Sequence, residues 1–435
     1  MRFCDDFSHH FVVKGRDVGE HARSYLSGLV GTQRRKNIGR IGEDVEASNY
    51  QGMQQLISDS PWNERALMDQ IADCANDLLS QESDRALYLD ETSFVKKGNA
   101  SVGVQRQYCG RLGKLENCQV GVFGCLGAGK RALLVDYRLF LPEAWAQDSE
   151  RCEKTKVPVE KRIHRTKPEL ALEIVKEARR RGLKFEWVGG DEVYGNNPEL
   201  IAGLEEIGET FLMDVPLNLH VYETEPSLAP QANVTAKTRG KKSRGGEAGK
   251  TRTVAALVKD YFKRESRQIT IRETTKGAMR VRIWVKTVWQ WDGNSAQARR
   301  RLLVVRQEAD GTFKYSLSNA SAQTSWERLG KMQGQRFWIE RAFQDAKSEL
   351  GMAQYEIRGW RGWHHHMAMV CLAMLFVVKE RVNAAEETPL LSTRDVVELL
   401  DYYLPRKNRT EAQVLASLNA RHALRQRDLE RHQKK

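Results

Sequence analysis

The sequence predicts an α/β fold, a mixed sheet flanked by helices, and three observations carry that reading. Apolar runs of strand length recur at residues 86–90, 120–125 and 132–140, parted by Gly-rich turns at 110–113 and 127–129. Helix-patterned and strand-patterned segments then alternate from residue 166 to residue 215, an order that places helices on the faces of a sheet. A further strongly helical segment, 336–347, comes only after a second group of strand-like runs.

Taken in order, residues 1–82 read as a helical N-terminal domain. Val18, Ala22, Tyr25, Leu26 and Leu29 recur at helical spacing, and a basic cluster, Arg34, Arg35 and Lys36, follows a Gly-Thr break. Asp59, Ser60 and Pro61 place cap residues ahead of an amphipathic helix over 66–79. Residues 83–215 form the first part of a core. After its three opening strands, Thr166, Pro168 and Glu169 start a helix that ends at Arg179, Arg180, Arg181 and Gly182. The cations complement the helix dipole and the glycine stops the turn. A strand over 185–188 leads to Asp191, Asn197 and Pro198 cap the next helix, and 210–215 is a last strand. Residues 216–325 read as a β-rich insertion domain with runs at 269–272, 281–290, 302–306 and 313–317. The longest alternates, with Val281, Ile283, Val285, Thr287 and Trp289 on one face. Residues 326–383 are the second part of the core. Residues 384–435 read as a basic helical tail that includes a short helix over 395–403.

Composition narrows the partners. Over 435 residues the net charge is +13, so the chain repels itself unless something anionic is near, and nucleic acid is the usual answer. Seven Cys without a Cys-x-x-Cys pair read as reduced thiols, not a disulfide framework or a zinc site. The best membrane candidate, 367–378, is too short to span a bilayer and reads as a buried core helix, so no membrane partner is expected. The first ten residues are mixed and polar, without the look of a signal peptide, and a cytoplasmic, nucleoid-associated place is expected.

Three carboxylates concentrate the chemistry. Asp90 closes the apolar run 86–89, Asp191 follows 185–190, and Glu340 stands in the helix over 336–347. One Asp at a strand end is most often a turn former. Two of them, each after a run that belongs in the middle of a sheet, are different: packed carboxylates repel and lose hydration. Divalent cations relieve both costs, and magnesium suits two or three carboxylates plus a substrate phosphate. On a helical wheel Ile339, Phe343, Ala346 and Leu350 form an apolar stripe, with Arg336, Glu340 and Lys347 on a second stripe beside it. An ordinary surface ion pair would explain the second stripe alone. With the strand-end aspartates, the set points to a nuclease that holds two metal ions over a phosphodiester.

These residues resemble a family. Residues 88–92, Tyr-Leu-Asp-Glu-Thr, 190–195, Gly-Asp-Glu-Val-Tyr-Gly, and 339–347, Ile-Glu-Arg-Ala-Phe-Gln-Asp-Ala-Lys, look like the three blocks of bacterial DDE transposases. The resemblance is to the group named for insertion sequence 701, near the group named for insertion sequence 4, and extends over nearly the whole chain. Arg336, Glu340 and Lys347 match the spacing of the Tyr–Arg–Glu–Lys signature of the second group, while Gln333 stands at the tyrosine position. In relatives that tyrosine helps handle a hairpinned DNA end, so the departure implies ends resolved differently here. The resemblance implies an RNase H-like core with Asp90, Asp191 and Glu340 as catalytic metal ligands, and an insertion between the second Asp and the Glu. It implies a transposase that binds terminal inverted repeats, cleaves at the element ends and joins 3′-hydroxyls to target DNA. Two Mg2+ ions would serve it, with Mn2+ as a substitute, and a homodimer would hold two ends in the synaptic complex. Arg336 and Lys347 would grip phosphates beside the scissile bond. The rivals are a non-catalytic domesticated DNA-binding relative and an RNase H-like structure-selective nuclease.

Arg34, Arg35 and Lys36 are candidates for recognising DNA ends. Lys237, Arg239, Lys241, Lys242 and Arg244 lie in a run, 237–252, of seven cations, four Gly and one Glu, which suits tracking of a phosphate backbone. Trp284, Trp289 and Trp291 read as sheet core before base-stacking platforms. His364, His365 and His366 are consecutive on a helix, point in different directions and cannot chelate one ion. Residues 124–130 resemble a phosphate loop only faintly, because Arg131 follows Lys130, and read as a hairpin turn.

Overall fold

The computed structural model describes residues 2–32, 35–226, 250–274, 277–291 and 297–433. Its centre is a ten-stranded mixed sheet. The strands are β1 (Ala86–Val95), β2 (Gln105–Cys109), β3 (Lys114–Ala128), β4 (Arg131–Leu139) and β5 (Trp187–Gly190). They continue with β6 (Phe211–Asp214), β7 (Arg267–Thr274), β8 (Gly277–Gln290), β9 (Arg299–Gln307) and β10 (Phe313–Ser318). Their order across the sheet is β7-β8-β9-β10-β6-β5-β1-β3-β2, and β4 pairs with the half of β3 that β2 leaves free. The pairs β1/β5 and β5/β6 are parallel; the rest are antiparallel. The strands of 267–318 are therefore bonded to β6 through β10 and continue the same sheet.

Local sequence explains these elements. Ala86, Leu87, Tyr88 and Leu89 are all buried, as a near-continuous apolar run in a central strand must be. Val281, Ile283 and Val285 pack on the main core as the alternation predicts, while Trp284 and Val288 face a second apolar cluster. Eight helices surround the sheet or fill its cores. They are α1 (Gly19–Leu29), α2 (Tyr50–Ser58), α3 (Glu64–Leu78), α4 (Lys167–Arg180), α5 (Val254–Glu265), α6 (Trp326–Gln335), α7 (Phe337–Ser348) and α8 (Trp360–Asn383). The second cluster is closed by α5, a helix that the β-rich reading of 216–325 did not contain. The helical spacing of Val254, Leu257, Val258 and Phe262 behind a Thr253 cap carried its signal.

α8 is apolar on nearly every side and is sunk among α1, α2, α3 and β4, so the N-terminal helices wrap a core helix. Among the described residues no helix is long and apolar enough to cross a membrane. α4 begins with the expected cap: Thr166 and Glu169 bond each other's backbone N–H. α3 does not begin where Asp59 and Ser60 suggested. The buried Trp62 donates its indole N–H to the Leu56 carbonyl at 2.9 Å, pinning the chain, and Asn63 becomes the cap. The turn after Ala128 is a hairpin, with Gly129 at φ +57°, as read from the sequence. All seven cysteines are free thiols.

Candidate active site

The sequence placed Asp90 at a strand end, and the structure corrects that: β1 runs on for five residues, to Val95. What ends at Asp90 is the neighbour. The parallel ladder between β1 and β5 closes at Leu89 opposite Gly190, so the next positions on the two chains are Asp90 and Asp191. Asp90 stays in the sheet, paired with Phe123 of β3 on its other side. Asp191 leaves it and caps the short helix Glu192–Gly195, its carboxylate accepting the Val193 N–H at 2.9 Å. Gly195 lets that turn lie against β6, since a Cβ there would overlap the Asp214 carbonyl oxygen.

α7 lies across this point because its buried face, Ile339, Ala342, Phe343 and Ala346, packs on the sheet. Alternate residues of β1 reach the helix pair. Tyr88 donates its hydroxyl to Gln335 at 3.3 Å, Asp90 faces Arg336, and Thr92 accepts from the Lys347 ammonium. Arg336 sits at the joint between α6 and α7. Its Nη1 is 4.0 Å from Asp90 Oδ2, its Nη2 is 3.0 Å from Glu340 Oε1, and its Nε is 3.1 Å from Asp214 Oδ2. The structure thus gathers Asp90, Asp191, Arg336 and Glu340 at one place, with Lys347 beside them. Glu91 points the other way from Asp90, accepting from Lys167 Nζ at 2.6 Å and from the Tyr194 hydroxyl at 2.8 Å.

The electrostatics of this cluster are unbalanced. Asp90 is pushed up to about 8 by burial and by the charges of Asp191 and Glu91, with Arg336 pulling the other way. Asp191 is pushed up to about 6 by burial and by Glu91, again against Arg336. The Arg336 pKa is itself raised: burial lowers it, but Asp214, Glu340, Asp90 and Asp191 outweigh that. Ionising both aspartates calls for added positive charge, and an all-oxygen donor set fits a hard divalent cation. Among the described residues no three of His, Cys, Asp or Glu are already drawn together around a metal position; Glu340, 54% exposed, is turned onto Arg336 instead.

The other candidates fall elsewhere. Arg35 is exposed, away from this cluster in sequence. Lys36 is buried, and its ammonium donates to the carbonyls of Leu29, at 2.9 Å, and Glu349. Arg34, Lys237, Arg239, Lys241, Lys242 and Arg244 lie outside the described residues. Trp284 is core. The three histidines are buried and turn to separate partners: His364 to the Trp360 carbonyl, His365 to that of Ile57, and His366 to the Tyr25 hydroxyl. Two residues of the cluster, Glu91 and Asp214, went unnoticed in the sequence. Asp214 carried the signal used for the others, an acid ending the apolar run Phe211, Leu212, Met213.

Asp90 within β1 and Asp191 just past the end of β5 stand level with each other, with a glutamate-bearing helix laid over them, and comparison with known proteins gives the class. The family model described as DDE superfamily endonuclease matches residues 8–278, more than half of the chain, and the chain belongs to that family. The match includes Asp90 and Asp191; Glu340 lies beyond it. The chain is also 25% identical over 363 residues, 82% of each chain, to the "Probable transposase for insertion sequence element IS701" of Microchaete diplosiphon.

Proposed function

We propose that this chain is the transposase of an insertion sequence, which binds the terminal inverted repeats of its element, cleaves the DNA there and joins the 3′-hydroxyl ends to a target. One observation carries the reading: the parallel register that brings Asp90 level with Asp191 where β5 stops, under a helix that adds Glu340. The similarity to the IS701 transposase points the same way. Asp90, Asp191 and Glu340 would hold two Mg2+ ions, or Mn2+ in their place. Such ions, when bound, supply Lewis acidity to the attacking and leaving oxygens of a phosphodiester.

The chain's own groups do the rest. The Arg336 guanidinium presents planar paired donors that suit phosphate oxygens, and Lys347 adds a point charge one face along. Glu91, tied to Lys167 and Tyr194, keeps the field at the two aspartates negative. In this reading residues 1–82 recognise the element ends and 83–215 with 326–383 form an RNase H-like catalytic core. Residues 216–325 form an insertion whose cation-rich run tracks DNA, and 384–435 are a basic tail. Two copies hold two ends, and the protein works on double-stranded DNA at the nucleoid.

Incubation with labelled element ends, a target plasmid and Mg2+, followed by sequencing of the junctions, tests this. Joined ends are expected from the wild type and none from Asp191→Ala. Cleavage without joining would leave a nuclease only. DNA binding without Mg2+-dependent nicking, or equal nicking by the variant, would remove the catalytic assignment.

A further inference from the structure

Asp214 ends β6, the strand next to β5 on the side away from β1. Its Oδ1 accepts the Ser316 hydroxyl at 2.6 Å, from the residue directly opposite on β10. Ser316 is fully buried and accepts in turn from the Gln333 amide at 2.8 Å. Gln333 is 4% exposed and also donates toward the Val304 and Lys314 carbonyls. The Asp214 carboxylate is therefore fixed from behind by two buried neutral groups, which leaves Oδ2 to hold Arg336 Nε at 3.1 Å. Arg336 lies three residues after Gln333, so both ends of the chain of contacts come from one helix pair.

This geometry separates the two jobs of the guanidinium. Nε is committed to Asp214, outside the predicted ligand set. The Nη groups reach into that set, to Glu340 at 3.0 Å and toward Asp90 at 4.0 Å. Arg336 is the cation that now balances the carboxylates, and a metal ion entering among them must displace its Nη groups.

We propose that Asp214 is a positioning residue: it holds Arg336 by Nε while the Nη groups give way to divalent metal, so that the guanidinium stays at the rim of the site and faces the substrate phosphate. The inference rests on the metal-dependent reading above and gives Arg336 and Asp214 opposite effects on metal binding. Removing Arg336 removes a competitor. Removing Asp214 frees the guanidinium to settle on Glu340 and Asp90.

The test is calorimetric titration of Mn2+ into the full chain without DNA, with melting curves to confirm the fold. Arg336→Gln is expected to bind Mn2+ on the order of tenfold more tightly, and Asp214→Asn on the order of tenfold more weakly, the scale of coupling between contacting residues. In the Arg336→Gln background, Asp214→Asn is expected to change nothing further. Ser316→Ala, which strips one support from Asp214, shifts affinity in the Asp214→Asn direction by a smaller factor and serves if Asp214→Asn does not fold. Weaker binding by Arg336→Gln would overturn the proposal. So would an Asp214→Asn effect, or a Ser316→Ala effect, that persists when Arg336 is absent, since the carboxylate would then act by its own charge. Mn2+ binding that Asp90→Asn leaves intact would overturn the metal reading itself and this inference with it.

Discussion

Asp90 and Asp136 are aspartates of the same sheet, two strands apart, and they sit in opposite fields. Asp136, on β4, is 1% exposed and ringed by cations: Arg138 Nη1 at 2.7 Å, Arg181 Nη1 at 3.3 Å, and Arg65. Its burial works to raise its pKa, but the three guanidinium groups carry it well below the usual carboxylate range. Asp90 has one guanidinium at 4.0 Å and two carboxylates for neighbours, and is pushed up to about 8. Residue type is shared and both carboxyls are mostly shielded from solvent, Asp90 at 16% exposure, so these features do not assign a role. The sign of the surrounding charge does. The ring around Asp136 ties α3, the end of α4 and β4 together and meets its charge with three guanidinium groups. The cluster at Asp90 has a deficit of positive charge that an incoming cation relieves.

The sharpest way to break this contrast is to neutralise each aspartate in turn. Asp90→Asn should lower DNA cleavage on the order of a thousandfold, the size of several kcal/mol of lost transition-state stabilisation. Its melting temperature should hold or rise, because an unfavourable charge is gone. A loss of stability matching the loss of activity would place Asp90 with Asp136. Asp136→Asn should cost about 3–5 kcal/mol in denaturant unfolding, since it strands three buried or half-buried arginines. Cleavage per folded molecule should be unchanged.

pH sharpens the comparison. The folded pKa values of Asp90 and Asp191 lie above the unfolded value near 3.8. The stability they contribute is present in full below that value and is lost as pH rises through about 6 and then about 8. The metal-free protein should therefore melt at lower temperature as pH is raised across that window, and Asp90→Asn should flatten the slope. Mn2+ affinity should climb through the same window as the protons leave. Asp136 behaves oppositely, because its folded pKa is depressed: the stability it contributes is present above its unfolded value and is lost only on strong acidification. The smallest effect belongs to Glu91→Gln, which removes one charge from behind both aspartates. Mn2+ affinity should fall by about 0.5–1 kcal/mol in a calorimetric titration, with the fold intact.

Much of the fold was legible because its signals are local. The alternation of 281–290 gave β8, the Thr166 and Glu169 pair gave the start of α4, and the stripe Ile339, Phe343, Ala346 gave the buried face of α7. Some of the misreadings came where distant contacts override local preference. Trp62 is held by Leu56, so α3 waits for Asn63. Lys36 looked like a surface cation beside Arg35, yet the carbonyls of Leu29 and Glu349 take its ammonium inside. Asp214 ended an apolar run as visibly as Asp191 does, but nothing in its neighbourhood in sequence names Arg336 or Ser316 as partners.

The sequence by itself determined much of the strand and helix pattern, and that acids stand after apolar runs, because propensity, periodicity and capping depend on neighbours a few positions apart. Tertiary structure alone decided that β5 stops level with Asp90, that Arg336 sits between Asp214 and Glu340, and that Asp136 meets arginines where Asp90 meets carboxylates. Electrostatic fields sum over groups close in space, and the chain brings those groups together from positions tens to hundreds of residues apart.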